Sequence, residues 1–296
     1  MPTVTVLFVT YNSAGVIGAA LDSVPEGVEI RVVDNASDDA TVRICRDRGI
    51  EPTVLGENVG YGAAANLGIR ATDTDMVFLL NPDIVLDADC LDVLKGAAAA
   101  HEGVGLFGPS QFRDAGGVKI DHDKPVSLLV PQERTGTMLA ENVQEVDFLL
   151  GSAYLIRRSA FDAVGGFDEN IFLFYEDDDF CRRLRDAGWA RALVTNAGCH
   201  HAVGLSTPVT PEIVYAKNWH IGWSECYARR KHGLPIPTVG PYAQLSLKVM
   251  LHIVSGNRIK RAKAAGALRG RRDFARGVSA RSRRISGGRL QATANG

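Results

Sequence analysis

The 296-residue chain has little of what marks a secreted or membrane-spanning protein. Its five cysteines, Cys45, Cys90, Cys181, Cys199 and Cys226, form no CxxC pair and no zinc-like spacing. Their odd number argues against a complete disulfide framework and for a reducing compartment. No apolar run approaches the roughly 20 residues that cross a bilayer, and no signal peptide precedes the first apolar stretch. These absences lead to the expectation of a cytoplasmic protein without a transmembrane anchor.

What is present suits one large globular domain with an appendage, since 46% of residues are hydrophobic and 23% charged. The net charge of −1 hides an asymmetry: residues 248–296 hold 13 Lys and Arg against one acid, Asp273, which leaves 20 basic and 33 acidic residues before them. Within that tail, LSLKVMLHIVSGNRIKRAKAAGALRGRRDF reads as a short apolar helix followed by a basic helical segment. Such a composition suits an anionic membrane surface, and equally a solvated tail disordered at its end. No recognised nucleic-acid module accompanies the charge, so nucleic acid is not an expected partner. The oligomeric state stays open.

Along the chain, residues 3–9 (TVTVLFV), 28–34 (VEIRVVD) and 76–80 (MVFLL) read as strands. Helical patterns at 14–23 and 38–48 separate them, the second introduced by Ser37 as a cap. The alternation predicts a doubly wound α/β fold with a mainly parallel sheet, in which ligands bind beyond the carboxyl ends of the strands. Those ends carry TYNS, DNASDD and NPD. Asp34, closing an apolar strand, is placed to accept an N–H from a nucleobase, a role that helix capping explains less well. In ENVGYGAAANLGIR, Gly60 and the small residues before Asn66 permit close approach of a diphosphate or ribose, or simply tight helix packing. Asp83, after a proline turn, suits a hard divalent cation that needs only one or two protein carboxylates beside phosphate and water; an ordinary turn explains it too.

The stretch FLFYEDDDFCRRL, residues 172–184, crowds four acids together. The preceding FDEN turn places a helix start near Glu176, where the dipole favours negative charge. Successive steps of about 100° keep the four from facing one site. One or two acids then face the crevice, and the rest are solvated or paired with Arg182, Arg183 or Arg185.

The ordered set VTYNS, VVDNASDD, NVGYGAAAN, LLNPD, GSAYLIRRSAFDAVGGFDENIFLFYEDDDFCRRLRDAGW and HHAVGLS resembles the inverting family-two glycosyltransferases of GT-A fold, particularly the bacterial branch containing rhamnosyltransferases. The resemblance covers roughly residues 3–232. It implies a GT-A domain over 1–232, with a nucleotide-sugar half (1–108) and an acceptor and catalytic half (109–232), followed by a basic helical extension (233–296). It implies that Thr10, Tyr11 and Asp34 hold the base, that Asn66 lies near the sugar nucleotide, and that Asp83 binds Mg or Mn. Asn81 replaces the first acid of the usual acid-x-acid motif and offers a neutral carbonyl instead. The HxxGxS pattern selects His201, with Gly204 and Ser206, as a second metal contact, His200 being the alternative. By the same resemblance Asp177 is the base, supported by Glu176 and Asp179, while Gly151 and Ser152 sit across the crevice on the acceptor side. A bend in a mixed-sheet strand is the plainer account of those two.

The resemblance implies a donor of the dTDP-sugar or UDP-sugar type, dTDP-rhamnose first, and a cell-surface glycan or lipid-linked acceptor at the inner membrane face. A sugar-1-phosphate nucleotidyltransferase is disfavoured, because TYNSAG stands where its glycine-rich phosphate loop belongs. A non-catalytic scaffold is disfavoured by the retained Asp83, Glu176, Asp177 and His201. The polar, turn-rich region 108–147 is expected to form a flexible acceptor-side segment.

Overall fold

The computed structural model describes residues 1–113, 118–119, 127, 129–130, 136–201, 209–286 and 289–292. Two compact units emerge, one of Met1–Glu57, Ala64–Phe167 and Asp177–Thr207, the other of Asn58–Ala63, Asp168–Glu176 and Pro208–Gly296.

The first unit opens with β1 (Val4–Thr10), α1 (Ile17–Asp22), β2 (Glu29–Asp34), α2 (Thr41–Arg46) and β3 (Thr53–Val54). Then come α3 (Tyr61–Arg70), whose first turn belongs to the second unit, β4 (Met76–Leu80), β5 (Ile84–Leu86) and α4 (Cys90–Ala100). Strands β6 (Val104–Arg113), β7 (Val118–Lys119), β8 (Thr137–Ala140), β9 (Val143–Glu145) and β10 (Ala153–Arg157) follow. Helix α5 (Arg158–Val164), helix α6 (Glu176–Asp186) and strand β11 (Ala190–His201) complete it.

One sheet runs in the order β3-β2-β1-β4-β10-β6-β11-β9-β8, with β5 paired to β11 and β7 to β6. Strands β3, β2, β1 and β4 are mutually parallel, whereas β10 is inserted antiparallel between β4 and β6. All five residues of β4 are buried, as a strand covered on both faces requires. The core joins Val6, Phe8, Val32, Phe78, Leu80 and Leu155, and all five cysteines are buried free thiols. Both early helices are shorter than their patterns suggest. Ala40, not Ser37, precedes the first turn of α2, which corrects the expected cap.

In the second unit α7 (Pro211–Lys231) begins with Thr210 accepting the Ile213 N–H and with proline in its first turn. Helices α8 (Val239–Val254) and α9 (Arg258–Ala275) follow, α9 capped by Asn257, which accepts the Lys260 N–H at 2.9 Å. A hairpin of β12 (Arg283–Ser286) and β13 (Arg289–Ala292) ends it. The basic segment is therefore a packed helix. Its one acid, Asp273, is buried, accepts the Trp219 indole N–H at 3.0 Å and pairs with Arg269 at 2.9 Å. Gly266 and Gly270 lie one turn apart on α9, so close to α7 that a Cβ would strike the carbonyl oxygens of Tyr215 and Trp219.

Gly270→Val should therefore force α9 off α7, because backbone atoms cannot yield as a side-chain tip does. The expected loss of stability is about 3 kcal/mol, the upper part of the range for overpacking. Thermal unfolding measures it, and an unchanged midpoint would remove this contact from the account.

Candidate active site

The ends of β1 and β2 are stitched to each other. The Thr10 hydroxyl donates to Asp34 Oδ1 at 2.8 Å, the Ser37 hydroxyl donates to the same oxygen at 2.6 Å, and the Ser37 N–H donates to Oδ2 at 2.8 Å. Asn12, in a left-handed conformation at φ 51°, gives its N–H to the Ser37 hydroxyl and takes the Asp38 N–H. Asp39 holds the N–H groups of Ala14 and Thr41. Thr10 and Asp34 are fully buried, and Asp34 spends three hydrogen bonds within the protein. The expected contact of Asp34 and Thr10 with a nucleobase would have to be made beside these bonds, at the one acceptor position the carboxylate keeps. The bonds fix the two loops, and of Thr10, Tyr11 and Asp34 only Tyr11 is partly exposed.

Asn66 is also committed elsewhere. Its amide donates to the Phe167 carbonyl at 2.9 Å and accepts the Phe167 N–H at 2.8 Å, with no exposed surface. These bonds pin the GGF turn. Gly60, within the second unit, has φ 92° and lies where a Cβ would meet the Phe172 carbonyl oxygen, while the Tyr61 N–H donates to that oxygen at 3.1 Å. Its glycine is required by the backbone of the FLFY run.

Between the third strand end and the acid cluster runs a continuous connection. The Asn81 N–H donates to the Ser152 carbonyl at 2.8 Å, continuing the antiparallel register in which Ala153 faces Leu80. The Gly151 N–H donates to Asp177 Oδ2 at 3.3 Å, and a Cβ on Gly151 would lie 3.0 Å from the Asp177 Cβ. Gly151 is thus the seat of Asp177. Ser152 donates its hydroxyl to Gln111 Oε1 at 2.7 Å. Gln111, in β6, escaped the sequence reading, because no turn signal follows it.

Two residues beyond Asn81, the buried Asp83 carboxylate stands 3.4 Å from His201 Nε2, while His201 Nδ1 is buried without a hydrogen-bond partner. The pairing follows from register: β5 runs antiparallel to β11 with Ile84 opposite His201. His200 turns to the other side of the strand, 3.3 Å from Asp87. A carboxylate facing the Nε2 of a largely buried imidazole fits a divalent cation whose remaining ligands are phosphate and water. Among the described residues no group of three His, Cys, Asp or Glu could hold an ion. Gly204 and Ser206 lie outside the described residues, as does most of 114–135.

Helix α6 arrives through Phe174 and Tyr175, both left-handed at φ 65° and 70°, a strained entry for non-glycine residues. Leu173 is tied to α7 by the Ser224 hydroxyl at 3.0 Å, and Phe172 stacks on His220 with ring centroids 4.5 Å apart. The acids then diverge. Asp179 is fully buried and bound to Arg183 at 2.7 Å, the kind of arginine pairing expected for part of the cluster. Glu176 is buried at the first position of α6, in the second unit. Asp178 is buried too, contrary to the expectation of solvated neighbours. Asp177 is the most exposed of the four. Burial raises both the Asp177 and Asp178 carboxyls, Asp178 to about 8, with the Asp177 charge adding to it. The two side chains are hydrogen bonded, and Ser127 also bonds Asp178. Burial and mutual repulsion thus favour the pair holding a proton.

Solved structures share this architecture. TarS of S. aureus, residues 1–349, aligns over 99% of this chain and 96% of its own with a TM-score of 0.55 at 14% identity. The mannosyltransferase PcManGT of Pyrobaculum calidifontis, in complex with GDP-Man and Mn2+, aligns over 93% and 87% with a TM-score of 0.58 at 17% identity. The fold is that of the GT-A nucleotide-sugar transferases. Residues 5–165 match the model of glycosyl transferase family 2, and the chain belongs to that family: it is a glycosyltransferase. The N-acetylglucosaminyl-diphospho-decaprenol L-rhamnosyltransferase of Mycobacterium tuberculosis is 30% identical over 236 residues, spanning 66% of this chain and 76% of that protein. Rhamnosyltransferase WbbL of Escherichia coli is 28% identical over 189 residues, covering 57% and 70%.

Proposed function

We propose that this glycosyltransferase moves L-rhamnose from dTDP-rhamnose to a lipid-linked glycan with inversion at the anomeric carbon. The observation that carries the chemistry is the connection Asp83–Asn81–Ser152–Gly151–Asp177, which brings the Asp83–His201 pair and the mostly buried Asp177 carboxylate onto adjoining strand ends. The rhamnosyl donor and lipid-linked acceptor are supported by the names of the two relatives.

The acceptor hydroxyl attacks the anomeric carbon, its proton passes to Asp177, and the bond to the nucleoside diphosphate breaks on the opposite face. Asp83 and His201 would hold Mg or Mn, and the ion, when bound, stabilises charge on the leaving diphosphate. Gly151 holds Asp177 in place. The base of the nucleotide lies along the loop that carries Tyr11, ordered from beneath by Asp34. Thymine and uracil present the same N3–H, so the sugar sets the choice of donor. Incubation with dTDP-rhamnose, UDP-glucose and UDP-N-acetylglucosamine should give transfer chiefly from the first, and turnover of only the UDP-sugars would remove the rhamnosyl assignment.

A lipid-linked acceptor brings the enzyme to the inner face of the cell membrane. Among the described residues no helix is long and apolar enough to cross it. Helix α8 nonetheless exposes Leu247, Met250, Leu251, Ile253 and Val254, the last at 89%, ahead of the cationic α9. An apolar face beside clustered basic residues supports peripheral docking on an anionic surface.

A further inference from the structure

The second unit contains a cleft of about 620 Å³ that the transfer chemistry does not use. It is lined by residues of α7, α8, α9 and β12–β13, and five of them are arginines: Arg258, Arg261, Arg269, Arg283 and Arg289. Two acids share the lining, Glu212 and Asp273. Asp273 is already engaged by Arg269 and Trp219, so that pair contributes no net charge. Glu212 is held below the usual carboxylate range mainly by a backbone N–H, with Arg258 and Arg289 contributing. Arg258, Arg261, Arg283 and Arg289 have no carboxylate at ion-pair distance among the described residues. The cleft is therefore strongly cationic.

Its remaining lining is apolar and includes Trp219, Val249, Ala265 and Leu290. Val249 belongs to α8, and the next residues of that helix are the exposed Met250 and Leu251. A concave site with guanidinium walls, continuous with an exposed apolar helix, matches a molecule that carries a phosphate at one end and hydrocarbon at the other. Guanidinium groups bind phosphate oxygens in pairs, which a point-charge ammonium does not do. The GxxxG-like packing of α9 on α7 keeps the floor of the cleft rigid, so its arginines are carried on a fixed frame.

We infer that this cleft receives the phosphate of an anionic membrane-lipid headgroup while α8 rests in the interface. The inference rests on the membrane docking proposed above and sharpens it, from a diffuse basic surface to one defined site. An extended nucleic acid fits less well, because the cations surround an apolar-floored hollow and do not track along a stripe.

Cosedimentation of the full chain with vesicles of equal parts phosphatidylcholine and phosphatidylglycerol, and with phosphatidylcholine alone, tests it. Wild type should bind the anionic vesicles only. Arg258→Glu with Arg261→Glu should weaken binding about tenfold more than Lys260→Glu with Lys263→Glu, the same change of charge on exposed α9 positions that do not line the cleft. Arg258→Lys with Arg261→Lys, which keeps the charge and loses the fork, should also weaken it. Circular dichroism of each variant checks that the helices persist. Equal losses for the arginine and lysine pairs would leave docking intact and reject the cleft. No vesicle binding by wild type would reject docking and the headgroup site together. Saturable, arginine-dependent binding of inorganic phosphate without vesicle binding would make it a site for a free anion. Binding of single-stranded oligonucleotide in preference to vesicles would likewise overturn the lipid assignment.

Discussion

Asp177→Asn is expected to bind donor normally and to lose transfer by about 10²–10⁴-fold, the contribution of a positioned general base. The amide keeps the size of the carboxylate and its oxygen can meet either the Gly151 or the Asp178 N–H, one backbone bond being lost, so donor binding is measured beside transfer to tell proton removal from collapse of the site. Donor titration by tryptophan fluorescence or calorimetry, beside single-turnover transfer, separates the two quantities. Near-normal transfer would remove Asp177 as the base. The effect should fall on kcat, because the acceptor hydroxyl needs the base only as it attacks.

Asp178 sets how that base responds to pH. Its raised carboxyl, about 8, keeps a proton within the pair. In the unfolded chain Asp178 returns to its ordinary value of 3.8. Between these limits the folded protein binds more protons than the unfolded one, so stability falls as pH rises from the carboxylate range toward 8 and levels off above it. Asp178→Asn should flatten that slope in unfolding midpoints taken across pH, while retaining much of the transfer, since an amide N–H can donate to Asp177 as the acid does. A slope unchanged by the substitution would place the proton elsewhere.

Much of the sheet was legible in the sequence because its central strands are continuous apolar runs: MVFLL is β4 without adjustment. The positions at strand ends were legible for the same reason, but their division of labour was not. Asp34, Asn66 and Asp179 look like ligand residues by type, and each is bonded to a partner distant in sequence or one helical turn away: Thr10, Phe167 and Arg183. Sequence spacing cannot distinguish a carboxylate that faces a ligand from one that closes a loop. Gly151 shows the converse, since its closeness to Asp177 depends on β10 being inserted antiparallel beside β4. In the tail, the charge was plain, but the glycines that press α9 against α7 went unread, because their purpose appears only when Tyr215 and Trp219 lie opposite. Asp273 is paired with Arg269 one turn before it, which spacing could have shown, but the Trp219 N–H that also holds it has no local signal.

Asp83→Asn is expected to reduce transfer by about 10²-fold or more, because it takes away the carboxylate that stands against His201 and leaves no acid in the NPD turn. The metal dependence should shift with it: the Mn concentration giving half-maximal transfer should rise by about tenfold or more. Paramagnetic titration of Mn in the presence of dTDP gives a reading independent of turnover, and the same weakening should appear there. Asn81→Asp supplies the opposite change. A second carboxylate two residues away should tighten Mn binding, provided the Asn81 N–H keeps its bond to the Ser152 carbonyl, which the substitution does not touch. His201→Ala should weaken Mn binding less than Asp83→Asn, since it removes a neutral ligand and spares the charge. His200→Ala should leave Mn binding unchanged, because that imidazole faces Asp87 on the other side of β11. Loss with His200→Ala in place of His201→Ala would move the ligand by one residue and therefore to the opposite face of the strand, and with it the whole assignment of which sheet face meets the diphosphate.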